Sequence, residues 1–329
     1  MKCSSSQRRR EFLARLSAVP ISVLSARSRA EPKQLKLVCF YPPETQQGQG
    51  AQLFAEKIAQ ASARTIEVSV ERPQTLPISL DSVIKGAALA VFCAPCVAAS
   101  EPVLSLSVLP MIAASFEEAK ILLRIARPHY SAALARHGQV LLATQPWLPG
   151  VLWSTIPIRS AADLRDVPFA QVSTPWGADE EWGWRRPFVR LGVRPAAFSE
   201  AEVVLSSGSS GNLKLTQEFA YFTEIFFAAH LTFLTARKEV FDSLSERQQH
   251  VLIGGHDTEL ALWKLMSEHL QRRQQEVAAR GVLVSAKPPA DVVAALRRAA
   301  EPDIQTWVQS VGSDGAAILA EYRRATGRE

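Results

Sequence analysis

Cys93-Ala-Pro-Cys96 is the sharpest chemical motif in this 329-residue chain. It follows a predicted strand, Ala87 to Phe92, and the carboxyl ends of strands face the ligand crevice in open α/β sheets. A C-x-x-C pair can lower a thiol pKa and do redox work. It can form a plain disulfide in an oxidising compartment. It can also supply half of a metal site, but no second C-x-x-C or histidine cluster completes one. Two small buried thiols lining a loop are the bland alternative. A thioredoxin-like enzyme would place the motif at the start of a helix after its first core strand. Disulfide or bland packing is therefore preferred over catalysis. Cys39 is a third cysteine of the mature chain, so one thiol stays free unless it pairs elsewhere.

The other candidates are weaker. His129, His137, His230, His250, His256 and His269 are scattered, without the i, i+4 spacing of a helical metal site and without a Ser-x-Gly elbow. His230, on an apolar run, reads as a hydrogen-bonded core histidine. Gly208-Ser-Ser-Gly211 lacks the Lys-Ser/Thr that a phosphate loop needs. Trp147, Trp153, Trp176, Trp182 and Trp184 crowd one stretch, and tryptophan is a common pocket wall; Trp182 and Trp184 could equally pack a helix. No catalytic residue, cofactor site or metal site emerges from these residues.

The elements that would position these residues alternate. Leu35 to Phe40 is a buried strand broken by Pro42 and Pro43. Gly50 to Ala61 is a helix with Leu53, Phe54 and Ile58 on one face. Thr65 to Val70 is a second strand, Leu80 to Lys85 a short helix, and Ala87 to Phe92 a third strand. Strands separated by helices indicate βαβ units and a parallel sheet. Phe116 opens a helix, and Phe169 to Ser173 is a strand. Arg185 to Leu191 is a helix stopped by a left-handed Gly192. Ser199 and Glu202 have capping-box spacing, which predicts a helix ending at Gly208. Phe222 to Leu234 is apolar and aromatic. A long helix runs to about Arg280, Gly281 to Val284 is a short strand, and two helices fill Pro289 to Arg324.

Composition bounds the class. Apolar content of 47% and charged content of 21% fit a soluble globular protein. The net charge of +5 does not mark a nucleic-acid surface, because residues 1–30 carry seven basic groups and one acid, and without them +5 becomes −1. That segment reads as an export signal. Arg9-Arg10-Glu-Phe-Leu13 matches a twin-arginine core, Leu16 to Ala26 is too short to span a bilayer, and Ser28-Arg-Ala30 offers small residues near a cleavage point.

A family resemblance adds to this reading. Gly192, Pro195, Phe198, Ser199, Glu200, Leu205 and Gly208 fall in register with a segment of the DctP-type solute-binding proteins of tripartite (TRAP) transporters. Pro157-Ile-Arg-Ser-Ala-Ala-Asp-Leu164 resembles that family's "kPixspeDlkg". Phe241-Asp-Ser-Leu-Ser-Glu-Arg-Gln-Gln-His250 resembles its "wdsLpxexqxxi". The resemblance covers about residues 35–284. It implies a two-lobed α/β periplasmic binding protein, type II-like, with parallel or mixed sheets flanked by helices and a hinge. The expected segments are 1–30 (signal), 31–148 (first lobe), 149–236 (second lobe) and 237–329 (helices returning across both). The implied function is capture of a small organic molecule for a membrane permease, as a binding protein and not an enzyme. A sensory or scaffolding protein that lost its organic-acid clamp is the alternative, and a thiol-disulfide protein acting through Cys93 and Cys96 is the third.

This chain departs from the family where the ligand is held. The two positions that carry arginine in the family read Ala170 and Leu152, and two polar positions read Leu215 and Leu89. A buried carboxylate needs charge-assisted bonds, so simple dicarboxylates and sugar acids are expected to bind poorly. The expected ligand is more apolar, neutral or cationic. The expected ligand-binding residues are Tyr41, Cys93, Trp153, Ala170, Gln171, Ser173, Trp176 and Leu215. The alternative is that Arg185 or Arg186 reaches the cleft and restores the clamp.

Overall fold

Apolar runs that stay apolar on both faces become the strands of two sheets. The computed structural model describes residues 31–73, 87–172, 183–207, 210–228, 230–254 and 256–327. The predicted helix at Leu80 to Lys85, the export segment 1–30, Ser173, Trp176, Trp182 and Gly208 lie outside these residues.

In chain order the first elements are β1 (Lys33–Cys39), α1 (Gln46–Ala61), β2 (Ile66–Glu71) and β3 (Leu89–Cys93). Thr45 caps α1 by accepting from the Gly48 N–H at 3.1 Å, and Phe54 and Ile58 bury its inner face. A 3₁₀ stretch, Pro102–Val108, leads to α2 (Phe116–Arg136), which Ser115 caps with Glu117 and Glu118 in the first turn. Then come β4 (Gln139–Pro146), β5 (Gly150–Ser154), β6 (Pro168–Gln171), α3 (Arg185–Arg190), β7 (Arg194–Pro195), β8 (Val203–Ser207), β9 (Tyr221–Glu224) and β10 (Leu231–Arg237). The chain continues through α4 (Lys238–Asp242), α5 (Glu246–Ile253), α6 (His256–Ala279), β11 (Leu283–Ser285), α7 (Ala290–Val311) and α8 (Ser313–Thr326).

The first sheet has the order β2-β1-β3-β10-β4 and the second β11-β9-β5-β8-β6-β7. In each sheet one strand opposes its neighbours: β10 runs antiparallel to β3 and β4, and β5 antiparallel to β8 and β9. The fold is therefore mixed α/β with two sheets flanked by helices. The stretch 149–236 divides between the sheets, because its last strand, β10, inserts into the first one. Helix α7 crosses back: Val292, Leu296 and Ala300 join the core of the second sheet, while Ile304 and Trp307 join that of the first.

Two expectations resolve around Gly192. It takes φ +94° after α3, the left-handed stop its type predicts. The helix expected from Ser199 to Gly208 is corrected. Phe198–Glu200 is a single 3₁₀ turn, and β8 follows it as an inner strand. Val203, Val204 and Leu205 are all fully buried, with Val203 and Leu205 in one core and Val204 in another. A run buried on both faces is a strand pattern, and sheet packing overrides a local capping signal.

Candidate functional site

The carboxyl ends of the parallel strands in both sheets point to one place, the crossings between the sheets. Trp147 to Pro149 join β4 to β5, a span of at most about 14 Å. Residues 225–230 join β9 to β10. The two crossings are tied together, since the Trp147 N–H donates to the His230 carbonyl at 2.9 Å and the Phe227 N–H to Gly150 at 3.5 Å. Phe226, within the second crossing, takes φ +45°, a conformation bulky residues rarely adopt. Helix α6 makes a third passage. Its first half packs on β4 and its second half on β11, with α1 beside it.

On the first-sheet side the site collects residues from separate strand ends. Tyr41 follows β1, Cys93 closes β3, Trp147 follows β4, and all three share one core cluster. Tyr41 meets Trp147 edge-on at 5.6 Å. The Trp147 indole N–H donates to Thr232 Oγ1 at 2.7 Å, and Tyr41 also hydrogen-bonds Thr232. Burial pushes the Tyr41 phenol well above its usual range. Cys93 is bonded to Cys96, and Cys39 is free and buried. Burial raises the Cys39 thiol to about 11, so it stays a protonated, inert thiol. Cys93 is 5% exposed, and a three-residue 3₁₀ turn follows it instead of the long helix of a thiol-disulfide enzyme. His230 lies between Trp184, stacked at 4.7 Å, and Trp147, edge-on at 5.1 Å. It is a core histidine, as its apolar surroundings in the sequence suggest.

On the second-sheet side, Trp153, Ala170 and Leu215 come together with Phe219, Phe222 and Val277 in a buried apolar cluster. The Trp153 indole N–H is satisfied by Ser206 Oγ at 3.0 Å. Gln171 does not join them. It pairs with Leu205, whereas Ala170 pairs with Val204, and successive residues of a strand face opposite sides. Gln171 Nε2 is buried without a hydrogen-bond partner among the described residues. Leu152 faces away from the cluster, in the core with Leu205 and Phe169. Leu89 opens β3, at the end remote from the crossings. Arg185 and Arg186 were the alternative source of the clamp. Both are exposed, and Arg186 and Arg190 bond Asp303 of α7.

Sequence reading missed Arg273. The inner stripe of α6 runs Leu262, Met266, Arg273, Val277, and the three apolar members are fully buried. Arg273 is itself 3% exposed, and neither its Nε nor its Nη1 has a hydrogen-bond partner among the described residues. One turn earlier, His269 contacts Gln49 of α1 at 3.1 Å. The next residue, Gln274, bonds Glu224 at the end of β9. Arg273 thus lies where α6 passes from one sheet to the other. Gln145, fully buried at the end of β4, donates to the Gln46 carbonyl at 2.8 Å, and its Oε1 has no partner among the described residues. Its i, i+4 register with Val277 was the signal available in the sequence, and register alone does not say which stripe of so polar a run is covered.

No family model and no curated protein matches the sequence. Solved structures do match the fold. An extracytoplasmic solute receptor of Bordetella pertussis binding pyroglutamic acid is 19% identical, with 88% of this chain and 99% of that one covered at a TM-score of 0.70. A TRAP periplasmic solute-binding protein from Rhodobacter sphaeroides, apo and open, is 14% identical over 89% of this chain and 99% of its own, with TM-score 0.76. One from Chromohalobacter salexigens with bound d-glucuronate is 17% identical over 88% and 99%, with TM-score 0.68. The chain has the two-lobed fold of these solute-binding proteins. Among the described residues no helix is long and apolar enough to cross a membrane.

Proposed function

We propose that this chain is the solute-binding subunit of a TRAP-type transporter. It captures a small organic molecule between its two sheets and presents it to permease subunits in the membrane, doing no chemistry itself. One observation carries the reading: the strand ends of both sheets converge where the chain passes three times between the sheets. Two short connections and one helix passing between the sheets suit a hinge. The likeness to solute receptors over nearly the whole described chain supports it.

The ligand is more apolar than a simple dicarboxylate. Ala170 and Leu215 put methyl groups, and Trp153 a ring, on the face where the resemblance places polar ligand groups. Tyr41, Cys93, Trp153, Ala170 and Leu215 form the walls, and Ser173 and Trp176 belong to the stretch that follows β6. The chain is exported to the periplasm by the twin-arginine route. Export should fail when Arg9 and Arg10 are both changed to Lys, and unimpaired export of that variant rules the route out. Mass spectrometry of small molecules released from the folded, purified protein tests the binding function. A stoichiometric organic solute is expected. If none is released, and none of a broad panel of acids, amides and amines raises the melting temperature, the reading fails.

A further inference from the structure

We infer that Arg273 is the anion-holding residue of the crevice and that the solute is a small monocarboxylate with an apolar body. The inference rests on the solute-binding reading above and deepens it. A guanidinium offers five donors in a fixed fork. Here the side chain is almost fully removed from water, with Nε and Nη1 unpaired among the described residues. Leaving a charged donor buried and unpaired is costly. Such a group persists where something absent from the isolated chain completes it.

Its placement says what that is. Arg273 lies on the inner stripe of α6, four residues before Val277, which packs in the cluster of Trp153 and Phe222. His269 and Gln274 anchor the helix to α1 and to the end of β9 on either side. The fork therefore belongs to the crossing, beside the apolar wall. The acid acting on it is Glu276, which is exposed, and Arg280 opposes that effect. Burial lowers the guanidinium to about 10, so it remains a cation at neutral pH.

The count of charges sets the ligand class. One fork satisfies one carboxylate, bidentately. A second carboxylate would meet Trp153, Phe222 and Leu215 and lose its hydration without return. The free Gln145 Oε1 accepts one hydrogen bond, which suits a hydroxyl or N–H on the ligand body. The clamp has thus moved from the strand position now held by Ala170 to the helix that bridges the sheets.

The test measures binding by calorimetry and thermal shift in the full mature chain. The probes are phenyllactate, pyroglutamate, malate and the neutral amide of phenyllactate. The two monocarboxylates are expected to bind, and malate and the amide to bind weakly. Arg273→Gln should weaken monocarboxylate binding roughly 100-fold or more. Arg273→Lys, which keeps the charge and loses the fork, should fall between the two. Lys264→Gln, an exposed cation elsewhere on α6, should bind like the parent. Without ligand, Arg273→Met should melt higher than the parent, because it removes an unpaired buried charge. Equal monocarboxylate binding by Arg273→Gln overturns the inference, as does equal stabilisation by acid and amide; in both cases the solute-binding reading survives. Failure of both Arg273→Gln and Arg273→Met to fold would assign Arg273 to the scaffold and also overturn it. Release of a neutral solute with no response to either acid would do the same.

Discussion

Helix α6 carries one buried or half-buried charge near each end, and the two are treated in opposite ways. Near its start, Glu259 is saturated. Its Oε1 accepts from the Thr144 N–H at 2.7 Å, from Thr144 Oγ1 at 2.6 Å and from Arg127 Nη1 at 2.9 Å. Trp263 adds its indole N–H to Thr144 Oγ1 at 3.3 Å. One carboxylate thereby fastens α2, α6 and β4 together. Near the other end, Arg273 is more deeply buried and has nothing on Nε or Nη1 among the described residues. A fully bonded polar network fixes a structure, whereas an unbonded one spends stability that a ligand returns. The first end of α6 is built to hold one sheet, and the second is built to wait for a solute.

The largest expected effect breaks the saturated end. Glu259→Ala strands the buried Thr144 N–H and uncouples Arg127, and should cost about 3 kcal/mol in chemical denaturation. Solute affinity should change little, because Thr144 and Gln145 are successive residues of β4 and face opposite sides of the sheet. Arg127 is a third exposed, so Arg127→Ala should cost less than Glu259→Ala. The contrast with Arg273→Met, expected to raise stability, is the comparison in its sharpest form. If Glu259→Ala proves neutral, hydrogen-bond saturation is not what separates the two ends of the helix.

The sequence already carried much of this fold. Strand β1 was legible in the run Leu35 to Phe40, β3 in Ala87 to Phe92, and α3 in the stop at Gly192, because each pattern is local. The Cys93–Cys96 bond was one of the readings its spacing allowed. Two readings were decided by tertiary packing. Ser199 and Glu202 had the spacing of a helix start, yet Val203 to Leu205 are claimed by cores on both faces of the second sheet. Gln171 and Ala170 looked like neighbours in one pocket, but strand pairing turns them to opposite sides. Arg273 was hidden for a different reason. In Gln271-Arg-Arg-Gln-Gln-Glu276 every residue is a good helix former and polar. Nothing local says which of two successive arginines is exposed and which is 3% exposed. That difference is fixed only by the sheet to which α6 returns.

His230 offers a smaller test of the same contrast, since it is a buried titratable group held neutral. It sits between Trp147 and Trp184 at the crossing, and burial pushes its imidazole down to about 3 from the usual value near 6.5. The folded chain therefore takes up this proton only near pH 3, while the unfolded chain takes it up near 6.5. The stability held by the neutral ring is fully present above pH 6.5. It is lost progressively as the pH falls, until the folded state also protonates. At pH 5 the loss should be about 2 kcal/mol relative to pH 7.5, at about 1.4 kcal/mol per pH unit below 6.5. Urea denaturation at the two pH values measures it, with His230→Phe as the control. The substitution removes the titrating group, keeps a flat ring between the tryptophans, and leaves the backbone carbonyl that accepts from Trp147 in place. Its pH dependence over this range should be shallower than the parent's by that amount. A parent and variant with the same slope would mean that water reaches His230 when the crossing opens, so that the ring is protonated in the native ensemble. Opening of the hinge would then lower the stability of this side of the crevice, as an empty site does at Arg273, and the two sides would differ less than their static environments imply.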